Sequence, residues 1–357
     1  MAGNSFGHIF RITTFGESHG PALGVIVDGC PPNIALTESD IQFDLNRRKP
    51  GQSKVTTQRK EKDIVQILSG VFEGKTTGTP IALIIFNKDQ RSSDYDAIKN
   101  LLRPGHADFT YLKKFGIRDY RGGGRASGRE TAARVAAGAV AKKILDQYKI
   151  NIVAYTLAIG GIYAEKMNYT SIENNLVRTP DMNAAKRMEE KILEAQKKND
   201  SVGGIVEAIV HGCPSGLGDP IFDKLDAKLA HAIMSIGAVK AIEFGSGFKA
   251  AAMLGSDHND KFYLDGERVR TISNNAGGIL GGIATGEDIV FRVAIKPTSS
   301  IAQPQQTLTT DGKEATIKVL GRHDPCLCPR IVPVVEAMTA ITLADALLSQ
   351  KTMLSDR

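Results

Sequence analysis

Val27-Asp28-Gly29-Cys30-Pro31 returns late in the chain as Val210-His211-Gly212-Cys213-Pro214. Each copy follows a β-branched run, Gly24 to Val27 or Gly204 to Val210, and each precedes a helix-like stretch, 38–46 or 222–231. Two further echoes keep the same order. Gly74-Lys75-Thr76-Thr77-Gly78 before Ile81 to Phe86 parallels Gly282-Ile283-Ala284-Thr285-Gly286 before Ile289 to Ile295. An arginine-containing glycine loop then leads into an apolar helix, first at 121–128 and again at 321–330. Three echoes in one order predict two related halves that share a core, with helices held between sheets. Chance similarity in a chain with 36 glycines is the competing reading, and the strand orders of the two halves decide between them.

The strand-like runs 24–27, 80–86, 204–210 and 288–295 are β-branched and bounded by glycine or proline. The helical runs 129–147 and 331–348 are alanine-rich and apolar on nearly every face, which assigns them to the interior. A third, 183–198, is amphipathic and highly charged. It reads as a solvated helix within an insertion spanning about 166–200. No linker separates the halves, so the expectation is a single α+β domain over 1–357, its helical layer flanked by sheets.

With 357 residues, 42% of them hydrophobic, the chain can bury a full core. The net charge of +6 is too modest for a nucleic-acid footprint but suits arginines gathered around a small anion. The one RGG-like segment, Arg121-Gly122-Gly123-Gly124-Arg125, has no interleaved aromatics and runs straight into a helix. The four cysteines form no Cys-x-x-Cys or zinc spacing, and structural thiols in a reducing compartment are expected. Met1 to Glu17 holds no apolar signal core, so the expectation is a cytoplasmic protein without a membrane span.

Two histidines sit in glycine-flanked blocks, Gly16-Glu17-Ser18-His19-Gly20 and Arg103-Pro104-Gly105-His106-Ala107-Asp108. Loop-held imidazoles titrate near neutrality and suit proton transfer. The segment Asp44 to Lys54 closes a helix with Arg47, Arg48, Lys49 and Lys54 and leads on to Arg59 and Lys60. Favourable charge at a helix C-terminus accounts for one or two of these cations; a phosphate or carboxylate site accounts for the set. Arg125-Ala126-Ser127-Gly128-Arg129-Glu130 opens the first long helix, where free N–H groups favour an anion, and Ser127 with Glu130 has capping-box spacing. Lys296-Pro297-Thr298-Ser299-Ser300 offers one cation and three hydroxyls after a strand. Gly321-Arg322-His323-Asp324-Pro325 reads either as a ligand-facing turn or as a structural Asp-Pro turn. The glycine pairs of 274–282 lack the setting of a dinucleotide fingerprint.

Taken together, these blocks resemble chorismate synthases over nearly the whole chain. The resemblance implies a β-α-β sandwich of two pseudo-symmetric halves and a homotetramer. It implies elimination of phosphate from 5-enolpyruvylshikimate 3-phosphate to give chorismate, with reduced FMN (FMNH2) as cofactor and no net redox change. It assigns substrate binding to Arg48, Arg103, Arg129 and Arg330. It assigns FMN binding to Arg125, Ala126, Ser127, Gly237, Ala238, Gly281, Lys296, Pro297, Thr298, Ser299, Ser300 and Arg322. Arg48 and Lys54 carry a weaker link to NADPH.

The resemblance also distributes the chemistry. His19 protonates the departing phosphate, His106 stands at the anionic edge of the reduced flavin, and Asp324 assists removal of the ring hydrogen. The remaining histidines, His8, His211, His231 and His258, are expected to be structural, while His323 stays open between the two roles. Three departures from the family pattern bear on the flavin and NADPH contacts: Ala126 lacks a hydroxyl, Gly237 stands where asparagine is common, and Lys54 replaces arginine. An external reductant for the flavin is expected. The rival readings are another phosphate-ligand flavoprotein oxidoreductase and an RNA-binding protein. The former needs a hydride partner and the latter a stacking platform.

Overall fold

Two five-stranded antiparallel sheets turn the sequence echo into architecture. The computed structural model describes residues 3–353 except 58, 60, 91 and 322. The first half runs β1 (Ser5–Phe6), β2 (Arg11–Gly16), β3 (Ala22–Asp28), α1 (Glu38–Arg48) and β4 (Val65–Ile67). It continues through a small ribbon of β5 (Val71–Phe72) and β6 (Lys75–Thr76) to β7 (Ile81–Phe86), α2 (Asp108–Phe115) and α3 (Thr131–Asp146). The second half runs β8 (Asn151–Ile159), β9 (Ile162–Tyr163), α4 (Met182–Lys197), β10 (Gly204–His211), α5 (Leu225–Met234) and β11 (Val239–Phe244). After α6 (Gly255–His258) come two ribbons, β12 (Phe262–Asp265) with β13 (Arg268–Thr271) and β14 (Ile279–Leu280) with β15 (Ile283–Ala284). The chain then enters β16 (Ile289–Ile295), a ribbon of β17 (Gln305–Leu308) and β18 (Glu314–Ile317), and α7 (Cys328–Met353).

The sheet orders are β1-β2-β3-β7-β4 and β9-β8-β10-β16-β11. Strands β2, β3, β4 and β7 therefore correspond to β8, β10, β11 and β16, in the same sequence order and with the same neighbours. Helix α1 matches α5, and α3 matches α7. The strand orders decide for two related halves. Only the edge differs, because β1 precedes its partner in sequence while β9 follows its own.

The repeated Gly-Cys-Pro shows why the echo persists. Gly29 and Gly212 both have φ of 75°, in the left-handed region. A Cβ on Gly29 would overlap the carbonyl oxygen of Ile9, and one on Gly212 that of Lys149. Each glycine thus lets the end of one strand pass the residue that leads into its neighbour. The cysteines that follow are buried, and burial pushes the Cys30 thiol up to about 11 and the Cys213 thiol up to about 12.

Period-two burial gives each sheet one inward face: Leu23, Val25 and Val27 in β3, and Ile289, Phe291, Val293 and Ile295 in β16. Helix α3 packs on β2, β3 and β7, α7 packs on β8 and β10, and the two helices pack on each other. One continuous apolar cluster runs through both sheets and the helices between them. The helices cross where Gly138 meets Ala337, so closely that a Cβ on Gly138 would overlap the alanine side chain. Of the charged insertion, α4 turns Met188 and Ile192 into this core.

Helix α7 begins earlier than its apolar pattern suggests, at Cys328, and contains Pro333. That proline supplies no N–H for the carbonyl of Pro329. The Arg178 guanidinium donates to that carbonyl instead, at 2.7 Å. Among the described residues α7 is the one helix long and apolar enough to cross a membrane, and its apolar window is wholly buried as the central core helix.

Candidate active site

Both core helices begin at the same cleft. The residues entering α3 (Ser127, Gly128, Arg129) and those entering α7 (Leu327, Arg330) line a cavity of about 370 Å³, the size of a small-molecule site. Two helix N-termini at one space place partial positive charge there. The described lining holds six cations, Arg48, Arg59, Arg103, Arg129, Lys296 and Arg330, and one carboxylate, Asp324.

The carboxylates that balance this charge stand mostly behind the wall. Asp63 is 2% exposed and divides its oxygens between Arg48 Nη1 at 2.9 Å and Arg129 Nη1 at 2.5 Å. Burial alone would raise its carboxyl, yet Arg48, Arg129 and Arg330 together hold it below the ordinary carboxylate value. Arg48 also donates to Thr131 Oγ1 and the Gly128 carbonyl, which fixes the guanidinium against the start of α3. Burial and the neighbouring Arg330 push Arg48 down to about 9 despite Asp63. The cluster is therefore short of negative charge. Arg129 Nε donates to Asn87 Oδ1 at 2.6 Å, while its buried Nη2 has no hydrogen-bond partner among the described residues. A buried donor left unmatched is costly unless a ligand completes it.

On the second-half side, Arg330 pairs with Asp324, whose other oxygen accepts from the Thr57 backbone N–H at 2.9 Å. Thr298 Oγ1 donates to the Asp324 carbonyl, joining the 296–300 loop to the loop before α7. Lys296 reaches across to the Gly105 carbonyl at 2.9 Å. Burial and the nearby Lys240 lower its ammonium. Ala238 adopts a φ of 75°, unusual for a residue with a side chain, and its carbonyl accepts from the Lys296 N–H.

The two imidazoles meet over one glycine loop. His19, 7% exposed, lies in the turn between β2 and β3 with Nδ1 3.2 Å from Ser18 Oγ and its ring edge-on to Tyr95. A Cβ on Gly122 would overlap the His19 ring, and one on Gly123 would lie 2.8 Å from His106 Cε1. Successive glycines at φ of 68° and 89° thus seat both rings along a single backbone. His106 Nδ1 lies 3.0 Å from Asp108, which also takes Arg103 through Nε and Nη2 at 2.8 Å each. Burial would raise the Asp108 carboxyl, but the hydrogen bonds from Arg103 and His106 hold it far below the carboxylate range.

The cleft gathers His19, His106, Asp324, Arg48, Arg103, Arg129, Arg330, Ala126, Ser127, Gly237, Ala238 and all of 296–300. His323 lines it too. Arg125, Gly281 and Lys54 do not. Arg125 turns back to β2, donating to Thr14 Oγ1 at 2.7 Å. Gly281 forms the turn of the β14–β15 ribbon, where φ is 61°. Lys54 is exposed and paired with Glu189 at 3.2 Å. Arg322 lies outside the described residues. Of the basic cluster after α1, Arg47 points away to Glu336, and Arg48 and Arg59 reach the cleft.

Ser127 does cap the turn before α3, accepting from the Arg129 N–H. Glu130 does not complete a capping box, because Thr14 and Arg134 take its oxygens. The helix therefore starts at Thr131 after a short 3₁₀ turn, two residues later than its apolar pattern implies. None of His8, His211, His231 and His258 lines the cleft. His211 pairs with Asp288, His258 with Ser246, and His231 packs against Phe6.

Asp63, Asp108, Asn87 and Thr57 escape sequence reading. Asp63 and Asn87 meet residues far away in sequence and no local motif marks them. Asp108 had a visible signal, since it stands two residues after His106 and five after Arg103.

The family model described as chorismate synthase matches residues 10–348. A chorismate synthase of Methanocella arvoryzae is 56% identical over 354 residues, covering 98% of this chain and 95% of that protein. One from Syntrophobacter fumaroxidans is 57% identical over 348 residues, 98% of each chain. A solved crystal structure of chorismate synthase superposes with a TM-score of 0.77 at 35% identity, covering 96% of this chain and 93% of that one.

Proposed function

The chain belongs to the chorismate synthase family, and from that premise we propose how its cleft divides the work. The enzyme is a carbon–oxygen lyase of the shikimate pathway, forming chorismate by 1,4-elimination of phosphate from 5-enolpyruvylshikimate 3-phosphate. This substrate carries two carboxylates and a phosphate. Moving that much charge out of water is unfavourable unless fixed cations replace the lost hydration. Six cations facing one carboxylate among the described lining residues is the observation that carries the reading. Arg48, Arg103, Arg129 and Arg330 hold the substrate anions, and the open Nη2 of Arg129 is one donor awaiting them.

The residues present fit reduced FMN. The glycine loop seats both imidazoles directly against its backbone, since a Cβ at Gly122 or Gly123 would run into a ring, and both rings line the same cleft as the groups that follow. The cofactor side consists of Ala126, Ser127, Gly237, Ala238 and Lys296 to Ser300, a set of backbone groups and hydroxyls with one cation, suited to a phosphate and a polar ring edge. Ala126 has no hydroxyl, so its contribution is through the backbone. When bound, reduced FMN supplies transient electron density to the electron-poor ring and a basic position for the departing hydrogen.

The chain's own groups move the protons. As the ring C–O bond breaks, its electron pair leaves with phosphate, and His19 protonates a phosphate oxygen so that less charge departs. The C–H pair becomes a new ring double bond, and the existing ring double bond shifts one position to the carbon that loses phosphate. Asp324, oriented by Arg330 and Thr57, assists removal of that hydrogen, and His106 would stand by the anionic edge of the flavin when it is bound.

The test is an anaerobic assay with reduced FMN and substrate. Chorismate and phosphate should appear in equal amounts with no net flavin oxidation, whereas stoichiometric flavin oxidation would identify an oxidoreductase instead. An external reductant belongs to this reading, because Lys54 lies outside the cleft that Arg48 lines. So does a homotetramer, supported by the exposed Phe262, Leu264 and Val269 of the β12–β13 ribbon and tested by analytical ultracentrifugation. Residence in the cytoplasm is supported by four buried, unpaired cysteines.

A further inference from the structure

The geometry points to Asp108 as a positioning residue that fixes which nitrogen of His106 faces the reaction. This rests on the reading of His106 as the imidazole beside the flavin. Asp108 is 3% exposed and does not line the cleft, so it acts through others. Its two oxygens collect Arg103 through the backbone N–H, Nε and Nη2, Arg118 Nη1 at 3.3 Å, and His106 Nδ1 at 3.0 Å. Arg118 is held in turn by the carbonyls of Lys99 and Leu101. The carboxylate thus sits in a rigid cage of donors.

An ionised carboxylate can only accept. Nδ1 of His106 must therefore carry a hydrogen. Nε2 is the one ring nitrogen left to serve the cleft that His106 lines; it lies beside Gly123, where a Cβ would be 3.0 Å from it. In its neutral form the ring then presents a lone pair to the site, and in its charged form a proton. Without the carboxylate nothing selects this tautomer, because the hydrogen bond at one ring nitrogen sets the state of the other. A structural role would need only the two arginines as partners. The third partner is the imidazole, and the residue's place two positions after His106 puts it within reach.

The substitution Asp108→Asn removes the selection. Arg103 holds the one remaining oxygen, and the amide NH2 turned toward His106 donates to Nδ1, which forces the hydrogen onto Nε2. Apoprotein labelled with 15N-histidine reports the tautomer directly by long-range 1H–15N correlation. The expected result is Nδ1–H for His106 in the parent, Nε2–H in Asp108→Asn, and Nδ1–H again in Asp108→Glu. With reduced FMN and substrate, kcat of Asp108→Asn should fall about 100-fold, as for loss of a positioned acid–base group, while Asp108→Glu stays within about tenfold. In a His106→Ala background, Asp108→Asn should lower kcat by less than about threefold more, since the two act as one unit.

An unchanged tautomer in Asp108→Asn overturns the assignment. So does an Asp108→Glu protein that has the Nε2–H form, or a full additional loss in the His106→Ala background. A switched tautomer with unaltered kcat upholds the positioning and instead removes His106 from the chemistry. If Asp108→Asn does not fold, the Asp108→Glu spectrum and the Asp108→Glu, His106→Ala cycle decide alone.

Discussion

The two halves of the molecule share strand order and helix placement, yet they contribute differently to the cleft. The loops after α1 and α5 both reach it, with Arg48 on one side and Gly237 and Ala238 on the other. The loops after β7 and β16 both reach it, as do the approaches to α3 and α7. The β2–β3 turn that carries His19 has no such counterpart. Between β8 and β10 the chain leaves for α4 and returns without lining the cleft. The first half thus holds both assigned imidazoles, and the second half adds cations, hydroxyls and Asp324. A repeated scaffold places loops symmetrically, and the chemistry lies in the loops that differ.

Breaking this asymmetry at its source should have the largest effect. His19→Ala should lower kcat by about 10²–10⁴-fold, the usual range for a positioned proton donor, measured by anaerobic stopped-flow with reduced FMN. Wild-type turnover would remove His19 from catalysis. A second-half hydroxyl should matter far less: Ser299→Ala is expected to raise the FMN dissociation constant by less than about tenfold, the scale of one lost hydrogen bond.

The joint between halves comes next. Glu336 on α7 binds Arg47 of α1 at 2.6 Å and Lys142 of α3 at 2.9 Å, so one second-half carboxylate holds two first-half helices. Burial would raise Glu336, but Lys142 and Arg47 bring it down to about 2. Because the folded value lies below the unfolded one, this carboxylate stabilises the fold above about pH 4.5, and the contribution is lost as pH falls toward the folded value. Glu336→Gln should cost about 3–5 kcal/mol near neutral pH, the usual cost of breaking a buried pair. In urea titrations the gap to the parent should close between about pH 4.5 and pH 2. A gap independent of pH would refute the ionic origin.

The smallest stability effect tests the equivalence itself. Gly29→Ala and Gly212→Ala place a side chain at the same positive φ against matching carbonyls. Each should destabilise by about 1–3 kcal/mol, and the two values should agree within about 1 kcal/mol by differential scanning calorimetry. A large difference would mean that the halves share topology without sharing the strain that shapes it.

The repeat was readable in the sequence because its signals are local. Gly-Cys-Pro, the glycine-threonine turns and the arginine-glycine loops are all short segments whose backbone needs dictate residue type. The cleft's cations and imidazoles were readable for the same reason. The buried counter-ion Asp63 was not, since it reaches Arg129 across the fold and the sequence shows only an acidic residue in a polar stretch. Arg125 misled because a flexible side chain beside a site can turn either way, and Thr14 and Glu130 draw it backward. The start of α7 was missed because the apolar run begins only at Ile331, beyond Pro329, while the Pro329 carbonyl that Pro333 leaves without a helical donor is satisfied from a distant arginine.

The contact of Gly138 with Ala337 has a mechanical consequence. From that pivot α3 extends about 10 Å to Thr131 at the mouth, at 1.5 Å per residue, and α7 runs beside it like the second blade of a pair of shears. The aperture for ligands is therefore set at the rivet, by a missing methyl group, and a bulkier residue there would alter affinity without touching any bound molecule.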